Sequence, residues 1–205
     1  PKGTLGIDMG IVNIASTSDG DTFSGKAVDD VRIRVNTLRK ALQKVGTKSA
    51  KKHLKRLSGR ERRFKRNTNH VISKHVVKVA KDTCRNISIE DLKRFNGRQT
   101  VQKSQRERFG KWAFNELRQF ITYKAMVAGV PVIAINPRNT SRGCSVCGYI
   151  AKSNRKSQSL FSCGKCGFIA NADYNASKNI AFRGSVNNPI VASALVGNQS
   201  VYSEL

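Results

Sequence analysis

The stretch TLGIDMG at residues 4–10, continued by IVNIAST at 11–17, decides the fold. Both segments are rich in apolar and β-branched residues and meet at Gly10, so they read as two strands. Ser18-Asp19-Gly20-Asp21 is a turn signal, and Thr22–Gly25 is short and strand-like. Together they predict an antiparallel meander of three strands. Asp8 lies between Ile7 and Met9 inside the first of them. A carboxylate in an apolar strand is costly unless it is paired or binds a metal ion.

Beyond the meander the period changes. Val31, Val35, Leu38, Leu42 and Val45 recur at three- and four-residue steps, which predicts an amphipathic helix. The helical pattern runs from Val28 to about Asp82, with Gly46 and Gly59 as interruptions. A second helix is expected over Asn69–Asp82, with Val71, Ile72, His75, Val76 and Val79 on one face. Asn86–Glu90 (NISIE) alternates and predicts a strand delivering Glu90 to a sheet edge. Residues 91–107 read as a polar, basic loop. Phe109–Gly129 returns to helix, with Trp112, Leu117, Phe120, Ile121 and Ala125 facing a core, and Val130–Ile135 is a further strand. A cysteine-rich module follows, then a short helix over Ala172–Arg183 stopped at Gly184.

This element order predicts an α/β fold of the RNase H-like (RuvC-like) type: a mixed sheet with flanking helices and an inserted zinc ribbon. The expected division is an RNase H-like domain over 1–136, completed by helix 172–184, a ribbon over 137–171 and a tail over 185–205. In that topology the first and fourth strands are neighbours and the last helix packs on them.

Cys144-x2-Cys147 and Cys163-x2-Cys166 have the spacing of a four-thiolate zinc site. Gly148 and Gly167 each follow the second cysteine of a pair, where the knuckle needs a backbone free of Cβ clash. Four thiolates leave no open coordination position, so one structural Zn2+ is expected. Cys84, alone between a helix and a strand, reads as a buried small residue.

The 205 residues include 38 Lys and Arg against 13 Asp and Glu, a net charge of +25, which calls for a polyanionic partner. Lys44–Arg66 concentrates that charge. Lys51, Lys52, Lys55, Arg56, Arg60, Arg62, Arg63, Lys65 and Arg66 are the expected nucleic-acid contacts, joined by Arg94 in the loop and Arg142 beside the ribbon. No apolar run reaches membrane-spanning length, and no signal peptide opens the chain, so an intracellular protein without membrane partners is expected.

Among the few acids, Asp8, Glu90 and Asp173 stand apart. The predicted topology brings them together, and three such carboxylates would bind two divalent ions, Mg2+ or Mn2+, for phosphoryl transfer. Taken singly, Glu90 also suits a strand-end salt bridge and Asp173 a helix N-cap.

These residues resemble the TnpB (OrfB) proteins of insertion sequences, relatives of type V CRISPR effector nucleases. GIDMGIVNIAST resembles their first RuvC motif and ISIEDL the second. NPRNTSRGCSVCG and FSCGKCGFIANADYNASKNIA resemble the ribbon running into the third. The resemblance implies a metal-dependent DNA endonuclease guided by RNA, with Asp8, Glu90 and Asp173 catalytic. It also implies a prokaryotic, cytoplasmic and nucleoid-associated setting. Asn171-Ala172-Asp173 departs from the Asp-Arg that commonly precedes the family's third aspartate. Only seven residues precede Asp8, so the chain reads as the C-terminal nuclease half of a longer protein. A DNA- or RNA-binding module that does not cut, using the basic helices and the ribbon, is the competing reading. A ribosomal-type zinc protein explains the charge and the ribbon, but not Asp8.

Overall fold

A computed structural model of the chain describes residues 2–91 and 114–186. Strands β1 (Thr4–Asp8), β2 (Asn13–Thr17) and β3 (Thr22–Ser24) form the antiparallel meander. Helices α1 (Lys26–Val45) and α2 (Lys48–Asp82) follow, then β4 (Asn86–Glu90), α3 (Phe114–Val127) and β5 (Val132–Ile135). A second small sheet pairs β6 (Leu160–Ser162) with β7 (Ile169–Asn171), and α4 spans Ala172–Val186. The main sheet has the order β3-β2-β1-β4-β5, with β4 parallel to both β1 and β5. This is the mixed RNase H-like sheet expected from the element order.

The two faces of β1 and β4 are built for different neighbours. Leu5, Ile7, Ile87 and Ile89 pack with Ile72 and Val76 of α2 and Leu117 and Ile121 of α3 in one buried core. On the opposite face Gly6 and Ser88 pair in register beneath α4. A Cβ on Gly6 would fall 2.1 Å from the Ser177 carbonyl oxygen, and one on Gly184 2.5 Å from Ser88 Cβ. Ser88 Oγ donates to the Ile180 carbonyl at 2.9 Å. Small residues thus let α4 lie almost on the sheet backbone. Its C-terminal turn covers Thr4 and Ser88, so its first turn lies over the ends of β1 and β4, where Asp8 and Glu90 stand.

The structure amends several expectations about helix ends. Gly46 does end α1: its φ is +67°, and its N–H bonds the Leu42 carbonyl. Thr47 then caps α2, its side chain accepting from the Ala50 N–H. Gly59, in contrast, does not interrupt, and no separate helix begins at Asn69. α2 is continuous over 35 residues, about 52 Å at 1.5 Å per residue. Its buried stripe is Ile72, Val76, Val77 and Ala80, while Val71 and His75 are exposed. On α1, Val35 is buried, but Leu38 and Val45 are exposed. α4 runs through Gly184, which is a close-packing position and not a stop. Cys84 is exposed, with φ 53°, because it makes the left-handed turn from α2 into β4. Among the described residues no helix is long and apolar enough to cross a membrane. Arg94, Trp112 and residues 187–205 lie outside the described residues.

Candidate functional site

Two clusters meet at α4. The first is the cysteine module. Each CxxC pair forms a tight turn closed by a glycine: the Gly148 N–H bonds the Cys144 carbonyl at 2.9 Å, and Gly167 bonds that of Cys163 at 3.1 Å. Both glycines have φ near +70°, at 72° and 73°, a region a side chain would strain. All four sulfurs lie within 4.8 Å of one another. Cys144 Sγ is 3.7 Å from Cys166 Sγ, and Cys147 Sγ is 3.6 Å from Cys163 Sγ. A tetrahedral ion with Zn–S bonds of about 2.3 Å separates its sulfurs by about 3.8 Å. The donor set therefore fits Zn2+ in both chemistry and spacing. Backbone N–H groups of Cys166 and Lys165 hold the Cys163 thiol down to about 6, favouring the thiolate a metal needs.

Asn154 ties the two knuckles together. It is fully buried; its Nδ2 donates to the Arg142 and Tyr149 carbonyls, and its Oδ1 accepts from the Gly164 N–H. Phe161, wholly buried among Cys144, Cys163 and Ala172, supplies a miniature core.

The second cluster is the carboxylates. Asp8 and Glu90 end parallel neighbouring strands whose preceding residues, Ile7 and Ile89, are register partners. Asp173 lies in the first turn of α4 and is buried. Burial, then the charges of Glu90 and Asp173, push the Asp8 carboxyl up to about 7, against a smaller pull from Arg155. Burial also raises Glu90, although a Thr140 hydrogen bond and Arg183 oppose it. Asp173 accepts from Asn13 Nδ2 at 2.8 Å on Oδ2, and Arg155 stands 3.6 Å from Oδ1. Asp8 therefore lies within electrostatic reach of both other acids. Among the described residues, the cysteines are the one set of three or more such side chains close enough to surround a single ion. Hard oxygen donors set around the buried Asp8 carboxyl are suited to Mg2+ or Mn2+, which would relieve the repulsion that Asp8 feels from Glu90 and Asp173.

Asp173 is not the cap of its helix. Asn171 Oδ1 accepts the N–H groups of Asp173 and Tyr174, which leaves the Asp173 carboxylate free for Asn13 and Arg155. Glu90, at its strand end, accepts from Thr140 Oγ1 at 2.5 Å.

The sequence reading overlooked the residues that join the clusters. Asn171, at the end of β7, and Asn175, Asn179 and Arg183 on α4 recur every four residues. Asn175 donates to the Gly143 carbonyl and accepts from the Ser145 N–H. Asn179 donates to the Thr140 and Gly143 carbonyls, and Arg183 to those of Asn136 and Arg138. Three of these side chains thus clamp the segment from β5 to the first knuckle. The signal was available, since four polar residues at helical spacing define one face.

Of the nominated basic residues, Lys51, Lys52, Lys55, Arg56, Arg60, Arg62, Arg63 and Arg66 are exposed along α2, and Arg142 is exposed by the ribbon. Lys65 differs: it donates to buried Glu61 at 2.8 Å, and Glu61 also holds Arg39. Burial alone would raise the Glu61 carboxyl, but Lys65 and Arg39 together hold it below its usual range.

The family described as "Probable transposase", OrfB of IS605, matches residues 1–99, and the "Cas12f1-like, TNB domain" family matches residues 114–180. The CRISPR-associated endodeoxyribonuclease Cas12f1 of Sulfoacidibacillus thermotolerans is 41% identical over 133 residues, covering 63% of this chain and 30% of that protein. A TnpB-like protein of Methanocaldococcus jannaschii is 32% identical, covering 82% of this chain and 60% of the relative. The chain thus spans less than two thirds of the length of the curated relatives it matches. A solved structure of a Cas12f1–sgRNA–target DNA complex superimposes with a TM-score of 0.70 at 23% identity, over 88% of this chain and 50% of that one. It agrees with the fold described above.

Proposed function

Given that this chain belongs to the TnpB (OrfB) family, we propose that it is the RuvC-like nuclease portion of an RNA-guided DNA endonuclease. The observation that carries this reading is geometric: Asp8 and Glu90 end the neighbouring parallel strands β1 and β4, and Asp173, in the first turn of α4 and bonded to Asn13 beside β1, is near enough for its charge, with that of Glu90, to bear on buried Asp8. A buried acid pushed up by two other acids is poised to exchange its proton for a cation. Three such carboxylates could be shared between two ions.

When bound, Mg2+ or Mn2+ would polarise the scissile phosphate and lower the pKa of the attacking water. Asp8 and Glu90 would hold cations from the sheet and Asp173 from the helix, so the phosphate would sit over the strand ends. Asn13 fixes the Asp173 carboxylate from one side, which leaves Oδ1 facing Arg155 and the open edge. The exposed cations of α2 would hold the nucleic-acid backbone by charge, without reading bases. Zn2+ in the four-cysteine site would serve structure only. DNA as substrate, guide RNA as partner, and the division into a sheet domain completed by α4 with an inserted ribbon belong to this proposal.

The test is Mg2+- or Mn2+-dependent cleavage of labelled DNA by the RNA-loaded protein, alongside Asp8→Ala, Glu90→Ala and Asp173→Ala. Each substitution is expected to abolish cutting, because losing one ligand misplaces a cation in a strongly geometric reaction. Each should leave nucleic-acid affinity in place. Normal cleavage by Asp173→Ala would break the assignment. Intact nucleic-acid binding with no cleavage by the unsubstituted protein would favour the non-cutting module.

A further inference from the structure

Thr140 is buried, at 3% exposure, in the turn between β5 and the first cysteine knuckle. Its hydroxyl has two acceptors in reach: Glu90 Oε1 at 2.5 Å and the Pro137 carbonyl at 3.0 Å. A hydroxyl has one proton, and the charged acceptor at shorter range takes it. The backbone of Thr140 is held in place as well, its carbonyl accepting from Asn179 Nδ2 at 2.8 Å. The same amide holds the Gly143 carbonyl at 2.7 Å, next to the ligand Cys144. Asn179 in turn sits on α4, the helix that carries Asp173 in its first turn. One side chain in the turn before the knuckle thus grips Glu90, and one side chain on α4 grips both that turn and the start of the knuckle.

We propose that Thr140 is a positioning residue for Glu90, fixing which carboxylate oxygen is free for a cation, and that it transmits the order of the cysteine knuckle to the carboxylate site. The inference rests on the reading of Asp8, Glu90 and Asp173 as a divalent-cation site. With Oε1 occupied by the hydroxyl, Oε2 is the oxygen left to bind. Without the hydroxyl, Glu90 stays at the end of β4 but loses the partner that sets its rotamer. Partners of this kind, one step behind the ligand, typically contribute 10- to 100-fold to metal affinity.

The experiment is titration of the zinc-loaded protein with Mn2+, read by electron paramagnetic resonance of free Mn2+, for the unsubstituted protein, Thr140→Val, Thr140→Ser and Asp8→Ala. Zinc content and melting temperature are measured on each. Thr140→Val is nearly isosteric and is expected to weaken Mn2+ binding by about tenfold or more with zinc retained. Thr140→Ser keeps the hydroxyl and should restore most of that affinity, which a purely packing role for the methyl group would not predict. Equal Mn2+ affinity in Thr140→Val and the unsubstituted protein, with Asp8→Ala deficient, overturns the role of Thr140 and leaves the site standing. No difference between Asp8→Ala and the unsubstituted protein overturns the cation site itself and the inference with it. Should Thr140→Val lose zinc or fail to fold, Asn179→Ala is measured in its place. It removes the brace and leaves the hydroxyl, so weakened Mn2+ binding with zinc retained supports the coupling and unchanged binding overturns it.

Discussion

At Asp8, three unfavourable influences converge: burial, Glu90 and Asp173. Its carboxyl binds a proton far more tightly in the folded chain, at about 7, than at the ordinary 3.8. Stability from that proton is complete below about pH 4 and is lost as pH rises through about 7. Without divalent cations, the protein should therefore be less stable at pH 8 than at pH 5. Asp8→Asn should flatten that slope and raise stability at pH 8 by on the order of 2 kcal/mol, measured by urea denaturation at both values. A steeper slope in Asp8→Asn would contradict the charge cluster. This residue was legible in the sequence because its neighbours are apolar and no bland role suits it. Thr140 and Asn13 were not, since single polar residues in a turn and at a strand start carry no pattern until the chain closes.

The elements were read best where a side chain's period decides the structure, and worst where glycine was taken as punctuation. β4 begins and ends where NISIE alternates, and the sheet order followed from the sequence of elements. Gly46, Gly59 and Gly184 look alike on paper. Only Gly46 has the left-handed backbone that ends a helix. Gly59 sits inside α2 with only the flexible end of Arg63 nearby, 3.4 Å from where a Cβ would stand. Gly59→Ala should therefore stabilise the protein by about 0.5–1 kcal/mol through helix propensity. Gly6→Ala should do the reverse, because its methyl group would meet backbone of α4 that cannot yield. A loss of roughly 2 kcal/mol or more is expected, with α4 and Asp173 displaced. Thermal denaturation of both variants checks the pair, and a neutral Gly6→Ala would refute the close approach of helix to sheet. Cys84 failed for a related reason: a tight left-handed turn, and not burial, sets its position.

Across the whole molecule, charge and zinc act independently. Cys163→Ser should lose the metal and disorder residues 143–168, since so small a core around Phe161 depends on metal binding for its folding energy. Elemental analysis and circular dichroism report both effects, and full zinc in the variant would be inconsistent with a four-sulfur site. With a net charge of +25, the chain should bind DNA of any sequence, with affinity falling steeply as salt rises. Filter binding from low to high ionic strength reads this, and salt-insensitive binding would remove the electrostatic account. Taken alone, the chain should cut poorly, because among the described residues nothing sets a strand in register over the carboxylates.

The packing of α4 on Gly6 and Ser88 also sets a schedule. Asn13 and its partner Asp173 are 160 residues apart, and the helix bearing Asp173 is the last described element to be synthesised. While the ribosome is still making the chain, β1 and β4 can pair, yet their Gly6 face stays bare and Glu90 lacks its Thr140 grip. At the usual rate of about 5–20 residues per second, roughly 10 to 30 seconds separate the first carboxylate from the third. The nascent chain therefore passes through synthesis without its three carboxylates assembled, and a polypeptide released early, short of α4, would lack Asp173 altogether.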